Sequence, residues 1–122
     1  MAQVLIIDDD DRFRGVIKEA LSRSGYDVLV AANGKIGVGL YREKRPDLVI
    51  TDVIMPDKDG AEVIFELQKE FPDIKIIVMT GGGQGDAQTY LKSIIAYSIV
   101  KYGFEKPFAM SDLLKAVKEL IG

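Results

Sequence analysis

The chain has 122 residues, of which 48% are hydrophobic and 29% are charged, which is the size and balance of one globular domain with a hydrophobic core. Sixteen basic and nineteen acidic residues give a net charge of −3, and no basic run would follow a nucleic-acid backbone, so we expect no direct nucleic-acid partner. Cysteine and histidine are both absent, which excludes disulfides, thiolate catalysis, the usual zinc sites and a histidine general base. Any chemistry must therefore use carboxylates, hydroxyls and amines.

The first residues do not have the pattern of a signal peptide. Residues 1–3 contain no basic side chain, and the apolar run Val4–Ile7 ends in four aspartates. Elsewhere no apolar run approaches the length that a membrane span requires. We therefore expect a cytoplasmic protein that does not bind membranes.

Short apolar runs rich in β-branched residues predict strands that are buried on both faces, because polar and apolar residues do not alternate within them. These runs, with a fifth strand near the end of the chain, are Val4–Ile7, Val28–Ala31, Leu48–Thr51, Ile74–Met79 and Tyr102–Glu105. Amphipathic helical spacing lies after each strand, around residues 13–21, 36–41, 63–67, 86–100 and 111–121. The alternation predicts an α/β fold with a parallel sheet and helices on both faces, in one domain over residues 1–122.

Several residues predict where helices begin and end. Asn33, Asp59 and Ser111 are predicted N-caps, because a short polar side chain there can accept from the free backbone N–H groups of the first turn. Asp10 and Asp11 are expected to cap or charge the start of the first helix. Gly25 is a predicted helix stop.

Polar residues stand at the carboxyl ends of the predicted strands, where open parallel sheets bind their ligands. Asp8 and Asp9 follow the first strand, Asp52 the third, Thr80 the fourth and Lys106 the fifth. If the first and third strands are neighbours, about 4.8 Å apart, their carboxylates converge and repel one another. A hard divalent cation relieves that repulsion, so the pattern predicts a Mg²⁺ site with Lys106 as a second cation.

Four separated motifs carry a family resemblance, and they are Ile6–Asp9, Asp52–Gly60, Val78–Thr80 and Lys106–Phe108. Over essentially its whole length the chain resembles a response-regulator receiver domain of two-component signalling. The resemblance implies a flavodoxin-like, doubly wound, five-stranded parallel sheet of strand order 2-1-3-4-5 with five helices.

The same resemblance implies a role for each acidic residue at the strand ends. Asp52 would be the phosphoacceptor. Asp9, Asp52 and the backbone carbonyl of Ile54 would bind Mg²⁺ directly, and Asp8 would orient a water or share the ion.

It also implies how the phosphoryl group is held and where it comes from. Thr80 and Lys106 would contact the phosphoryl oxygens. The donor would be a histidine kinase or a histidine phosphotransfer protein, because this chain has no histidine. The change would be relayed to a downstream effector protein that the sequence does not identify.

Two other function classes remain open beside this phosphorylation switch. One is a receiver-like interaction module that is not phosphorylated. The other is an aspartate-based phosphatase, which is disfavoured because such an enzyme needs a threonine where Arg12 stands. The glycines of the segment Gly81–Gly85 favour a loop beside the site over a dinucleotide-binding loop, because their spacing does not match.

The last third of the chain departs from the family pattern. The interval from Thr80 to Lys106 is longer than in most receivers by about one helical turn. Gly103 stands where receivers often have an aromatic switch residue. The predicted fourth helix, over 86–100, has a wide apolar face that either packs internally or forms a surface for a partner. We therefore keep open a homodimer through the fourth helix and the fifth strand.

Overall fold

The computed structural model describes residues 1–53, 60–81, 93–95 and 98–122. They contain one five-stranded sheet, whose strands are β1 (Gln3–Ile7), β2 (Asp27–Ala31), β3 (Leu48–Asp52), β4 (Ile76–Gly81) and β5 (Tyr102–Lys106). All neighbouring strands are parallel and the order is β2-β1-β3-β4-β5. The predicted fold class and strand order are confirmed.

Helices follow the strands on both sides of the sheet. Four have described bounds, and they are α1 (Asp11–Arg23), α2 (Gly34–Lys44), α3 (Gly60–Glu70) and α5 (Met110–Ile121). Residues 93–95 are also helical, and we label them α4. Most of the predicted helix over 86–100 lies outside the described residues.

Two hydrophobic clusters lie on opposite faces of the sheet, because successive strand residues point in opposite directions. On one face, Val4 and Ile6 of β1 pack with residues of α1 and α5, such as Ile17 and Leu113. On the other face the cluster lies under α2, α3 and α4, and it includes Leu5, Ile7, Val38, Ile64 and Ile94. Both faces of the central strands are therefore buried, as the unbroken apolar runs predicted.

The predicted starts of the first two helices are confirmed. The Asp10 carboxylate accepts from the backbone N–H groups of Arg12 and Phe13, at 3.0 and 3.1 Å, and caps α1. Asn33 caps α2 in the same way through the N–H of Ile36.

At the later helix ends the outcome differs. Gly25 follows the C-cap of α1 with a φ of 94°, the left-handed conformation that glycine adopts most easily, which confirms the predicted stop. The prediction for Ser111 is wrong. Ala109 is the N-cap of α5 and its carbonyl accepts from Asp112 and Leu113, so Ser111 already lies in the first helical turn. Asp59 lies outside the described residues.

The fourth strand is displaced toward the carboxyl edge relative to its prediction. Ile74 belongs to a turn, since its N–H donates to the carbonyl of Phe71 at 3.0 Å, and β4 begins two residues later at Ile76. At its other end the strand includes Thr80 and Gly81. Thr80 is therefore held by the sheet rather than by the following loop.

Candidate functional site

The register of the sheet brings three charged residues to one end and one face. Ile7 pairs with Thr51, so Asp8 and Asp52 are the next residues on neighbouring strands. Asp8, Asp52 and Lys106 each stand two residues after a side chain that packs toward α1 and α5. Those side chains are Ile6, Ile50 and Phe104, respectively. Because side chains alternate along a strand, all three point toward that same face.

Three carboxylates at this end of the sheet lie within reach of one metal ion. Oxygens of Asp8, Asp9 and Asp52 lie within 4.8 Å of one another. Asp8 is fully buried, and its Oδ1 accepts from the N–H of Asp10 at 2.9 Å, which fixes the carboxylate and the loop that carries Asp9. Asp9 is exposed, so one side of the cluster is open to solvent. The predicted convergence of these three residues is observed.

Lys106 joins the two buried carboxylates of the cluster. Its Nζ donates to Asp8 Oδ2 at 2.9 Å and to Asp52 Oδ2 at 3.1 Å, and its side chain is 18% exposed. Burial by itself would lower the pKa of Lys106, but the hydrogen bond to Asp8 and the charge of Asp52 raise the pKa above its usual value. The ammonium group therefore stays charged at neutral pH.

The two carboxylate oxygens of Asp52 have different surroundings. Its Oδ1 is buried and accepts no hydrogen bond among the described residues, whereas Oδ2 accepts from Lys106. Burial raises the pKa of Asp52, and Asp8 and Asp9 add to that effect, while Lys106 opposes it. An unsatisfied anionic oxygen beside two further carboxylates is the ligand set of a hard cation, so these residues fit Mg²⁺.

Two residues of α1 complete this environment, and the sequence motifs did not reveal either of them. The Arg14 guanidinium donates to the backbone carbonyl of Asp8 at 2.6 Å and pairs with Asp11 at 2.5 Å. The Phe13 ring lies beside Lys106, whose Nζ is 4.3 Å from the ring centroid. The sequence showed only that both residues follow closely after the acidic run, in the first turn of the helix. Phe13 also fits the apolar face of that helix.

Thr80 and Ile54 are the two remaining predicted site residues. Thr80 is 2% exposed and follows Met79, the residue that pairs with Asp52, but no hydrogen bond joins it to Asp8, Asp52 or Lys106 in the described part of the chain. Its contact with a phosphoryl group stays a prediction. Ile54 lies outside the described residues, as do the glycines after Gly81.

Comparison with known proteins decides the family. The family model described as the response regulator receiver domain matches residues 4–118. The chain belongs to the receiver domains of two-component response regulators. Receiver domains are phosphoacceptor regulators that bind Mg²⁺ at an acidic pocket, and in this receiver Asp8, Asp9 and Asp52 form an acidic cluster that could hold a metal ion.

Individual relatives agree with the family match along the whole chain. Sporulation initiation phosphotransferase F of Bacillus subtilis is 31% identical, over 98% of this chain and 93% of that protein. Chemotaxis protein CheY of Thermotoga maritima is 32% identical, over 97% and 96%. The crystal structure of response regulator protein TrrA from Thermotoga maritima, in complex with Mg²⁺ and BeF, has a TM-score of 0.87 at 30% identity and covers 99% of this receiver and 100% of that chain.

Within the described residues, no helix of this receiver is both long and apolar enough to cross a bilayer.

Proposed function

We propose that this chain is a phosphorylation-dependent signalling switch, a single receiver domain over residues 1–122 that acts in the cytoplasm. Asp52 accepts a phosphoryl group from a histidine kinase or a histidine phosphotransfer protein. The modified domain then passes the signal to an effector protein through a change of its surface.

The observation that carries this proposal is the state of the Asp52 carboxylate. One oxygen accepts from Lys106, and the other is buried beside Asp8 and Asp9 and accepts from no donor in the described part of the chain. A buried carboxylate oxygen that none of the described protein donors satisfies can bind a metal ion, and a carboxylate is a competent nucleophile toward phosphorus.

The proposed transfer uses residues that the chain itself supplies. An Asp52 carboxylate oxygen attacks the phosphorus of the donor phosphohistidine, the P–N bond breaks, and its electron pair returns to the donor imidazole. When bound, Mg²⁺ would offset the negative charge of the transferring group, with Asp9, Asp52 and the Ile54 carbonyl as ligands and Asp8 beside them. The Lys106 ammonium passes from Asp52 Oδ2 to a phosphoryl oxygen.

Thr80 and water complete the cycle. The Thr80 hydroxyl would donate to a second phosphoryl oxygen from the end of β4. Hydrolysis returns the carboxylate when a water oxygen attacks the same phosphorus and the acyl phosphate bond breaks. The chain would thus catalyse only its own phosphorylation and dephosphorylation, and would have no separate substrate.

Labelling with a small phosphodonor tests this function. The purified chain is incubated with Mg²⁺ and acetyl phosphate, and its intact mass and the modified residue are determined, with Asp52→Asn as the matched control. A single phosphoryl group on Asp52 of the wild type, absent in Asp52→Asn, is the expected result. Lack of label in the wild type would favour the unphosphorylated interaction module, and rapid turnover of diverse phosphate esters would favour the phosphatase.

The donor is tested separately. A histidine phosphotransfer protein labelled on its histidine should lose the label to the wild-type chain and retain it with Asp52→Asn. Transfer to Asp52→Asn would show that another residue is the acceptor.

We propose that the phosphorylated chain passes on its signal by forming a homodimer through α4 and β5. Strand β5 is the edge of the sheet and is only half-buried, and Ile99, three residues before it in the chain, is 40% exposed. Sedimentation before and after treatment with beryllofluoride should show association, and changing Tyr90 and Tyr97 to serine should prevent it. Both tyrosines lie outside the described residues, so this test rests on the sequence pattern of the predicted helix. Unchanged association and partner binding in the double variant would contradict the proposed face.

A further inference from the structure

Phe13 contacts Lys106 of the site but has no part in the proposed transfer. The Lys106 ammonium lies over the face of its ring, with Nζ 4.3 Å from the centroid. Lys106 has three N–H donors, and two of them are directed at Asp8 and Asp52. The ammonium group of Lys106 therefore contacts the carboxylates of Asp8 and Asp52 and the face of the Phe13 ring.

The Phe13 ring is held in place by other aromatic side chains. It packs edge-to-face on Phe108, with centroids 5.6 Å apart, and Phe108 packs on Phe104 at 5.2 Å. Phe104 and Phe108 lie two residues before and two residues after Lys106 in the chain. The same packing that orders the backbone around Lys106 therefore also orients the ring that faces its ammonium group.

The backbone of Phe13 is fixed to the acidic loop as well. Its N–H donates to the capping carboxylate of Asp10 at 3.1 Å, and the N–H of Asp10 donates to Asp8. The ring, the metal-binding loop and Lys106 thus form one connected unit. Because its neighbours already fix the Phe13 ring, the ring can orient the Lys106 ammonium group without losing side-chain entropy each time the lysine changes partner.

We propose that Phe13 is a positioning residue for Lys106, and that its ring keeps the ammonium group over the site while the lysine exchanges Asp52 Oδ2 for a phosphoryl oxygen. The attraction between a cation and the negative face of an aromatic ring supplies the interaction, and it is stronger where water is partly excluded. A leucine at this position would fill similar space but would not attract the cation. This inference rests on the proposed function, because it concerns the reaction at Asp52.

Three single variants separate the aromatic face from its volume. Phe13→Leu keeps an apolar side chain, Phe13→Tyr keeps the ring, and Phe65→Leu is the matched control on α3, where the phenylalanine is 42% exposed. We expect Phe13→Leu to slow Mg²⁺-dependent phosphorylation by acetyl phosphate by about three- to tenfold, the range of one cation–π contact. Phe13→Tyr and Phe65→Leu should react at the wild-type rate.

A double-mutant cycle shows whether Phe13 acts through Lys106. The measured quantity is the affinity for beryllofluoride in the presence of Mg²⁺, in the wild type, Phe13→Leu, Lys106→Met and the double variant. We expect Phe13→Leu to weaken binding only when Lys106 is present. An equal loss in the Lys106→Met background would overturn the proposal, because a purely structural role of Phe13 would act in both backgrounds.

The contact itself has a spectroscopic signature that needs no reaction. The ε-methylene protons of Lys106 should resonate upfield of those of the other lysines because of the ring current of Phe13, and should lose this shift in Phe13→Leu but not in Phe13→Tyr. Absence of the shift in the wild type would overturn the proposal even if Phe13→Leu did not fold.

The outcomes also distinguish this proposal from the proposed function. If the wild type were not labelled on Asp52, both would fail. If the wild type were labelled and Phe13→Leu reacted at the same rate, only the positioning role would fail.

Discussion

The ammonium nitrogen of Lys106 lies 3.1 Å from Asp52 Oδ2, so the lysine already occupies the edge of the volume in which a metal ion would bind. It also lies 2.9 Å from Asp8 Oδ2. Lys106 therefore stabilises the buried carboxylates when no metal is bound, and its positive charge opposes the entry of a second cation. Removing Lys106 should therefore raise the affinity for Mg²⁺ but lower the rate of phosphoryl transfer.

We expect Lys106→Met to bind Mg²⁺ more tightly than the wild type, by about fivefold or more. Two unit charges about 4 Å apart interact by about 1 kcal/mol even in a water-like dielectric, which corresponds to about fivefold, and the double charge of Mg²⁺ doubles that energy. Calorimetric titration with Mg²⁺ measures the change. Lys101→Met is the matched control, since this exposed lysine precedes the opposite end of β5. Weaker Mg²⁺ binding in Lys106→Met would show that the lysine organises the metal site rather than competing with it.

In the same variant, phosphorylation should become slower although the metal binds better. Lys106 is the only protein cation hydrogen-bonded to Asp52 in the described residues, and removing such a group from a developing charge costs about 10² in rate or more. The rate with acetyl phosphate at saturating Mg²⁺ measures this effect. A wild-type rate would exclude Lys106 from the transfer.

Gly60 sets the position of Asp52 through a close backbone approach. A β-carbon built on Gly60 would lie 2.6 Å from Val53 Cα and closer still to the carbonyl oxygen of Asp52, and the Gly60 N–H donates to Val53 at 2.5 Å. Backbone atoms cannot move aside as a side-chain end can. We expect Gly60→Ala to lower the free energy of unfolding by about 1–3 kcal/mol and to weaken Mg²⁺ binding, because it displaces the Asp52 backbone. Urea denaturation and Mg²⁺ titration measure the two effects.

Gly39→Ala in α2 is the control for this substitution. Apart from its chain neighbours and the backbone of α2 itself, no atom of the described residues lies within 4 Å of a β-carbon built there. Alanine in a helix interior is more stable than glycine by about 0.5–1 kcal/mol. The two changes should therefore have opposite signs. Equal effects of Gly60→Ala and Gly39→Ala on stability would contradict the close approach at Gly60.

Arg14 stabilises the acidic loop through its guanidinium group. It donates to the Asp8 carbonyl at 2.6 Å and is 17% exposed, so Arg14→Met leaves a partly buried carbonyl without this donor. We expect a loss of about 1–2 kcal/mol in the free energy of unfolding, measured with urea. Arg23→Met is the control on the same helix, because its pair with Glu19 is exposed and should contribute less than about 0.5 kcal/mol. If both variants lost the same stability, the hydrogen bond to Asp8 would contribute nothing beyond an exposed ion pair.

The sequence predicted the parts of this receiver that depend on local pattern. Buried strands follow from unbroken apolar runs such as Val4–Ile7, and the parallel order places Asp8 beside Asp52 once β1 and β3 are neighbours. The convergence of these carboxylates therefore needed only the strand ends and the strand order. Capping by Asn33 is equally local, since its partner is three residues away.

The sequence did not predict contacts that depend on how a helix lies against the sheet. Phe13 fits the apolar face of α1, and nothing in the helical spacing shows that Lys106, distant in the chain, lies over its ring. Ser111 has a favourable capping side chain, but the N-cap of α5 is Ala109, two residues earlier, whose carbonyl accepts the first backbone hydrogen bonds of the helix. Arg14 was missed because its acceptor is a backbone carbonyl, which no side-chain motif records.

The raised pKa of Asp52 predicts how stability depends on pH. A carboxyl group with a higher pKa in the folded than in the unfolded state binds more protons when folded, so the free energy of unfolding falls as pH rises from the unfolded value, about 3.9, through the folded value. Burial of the Asp52 charge is therefore destabilising once the pH exceeds the unfolded pKa. Asp52→Asn removes that charge and should be more stable than the wild type at pH 7, by on the order of 1 kcal/mol.

The difference between Asp52→Asn and the wild type should shrink as pH falls through the raised folded pKa of Asp52 and below the unfolded value of about 3.9, where Asp52 becomes protonated in both states. The raised pKa of Lys106 does not contribute in this window, because its stabilisation is lost only at alkaline pH. At pH 7, Mg²⁺ at one hundred times its Kd should stabilise the wild type by about 2.7 kcal/mol and Asp52→Asn by much less. Urea denaturation across pH, with and without Mg²⁺, measures all of these effects, with Asp27→Asn on the exposed edge strand as the control. A wild type more stable than Asp52→Asn at pH 7 without Mg²⁺ would mean that the bond to Lys106 outweighs the burial of the charge.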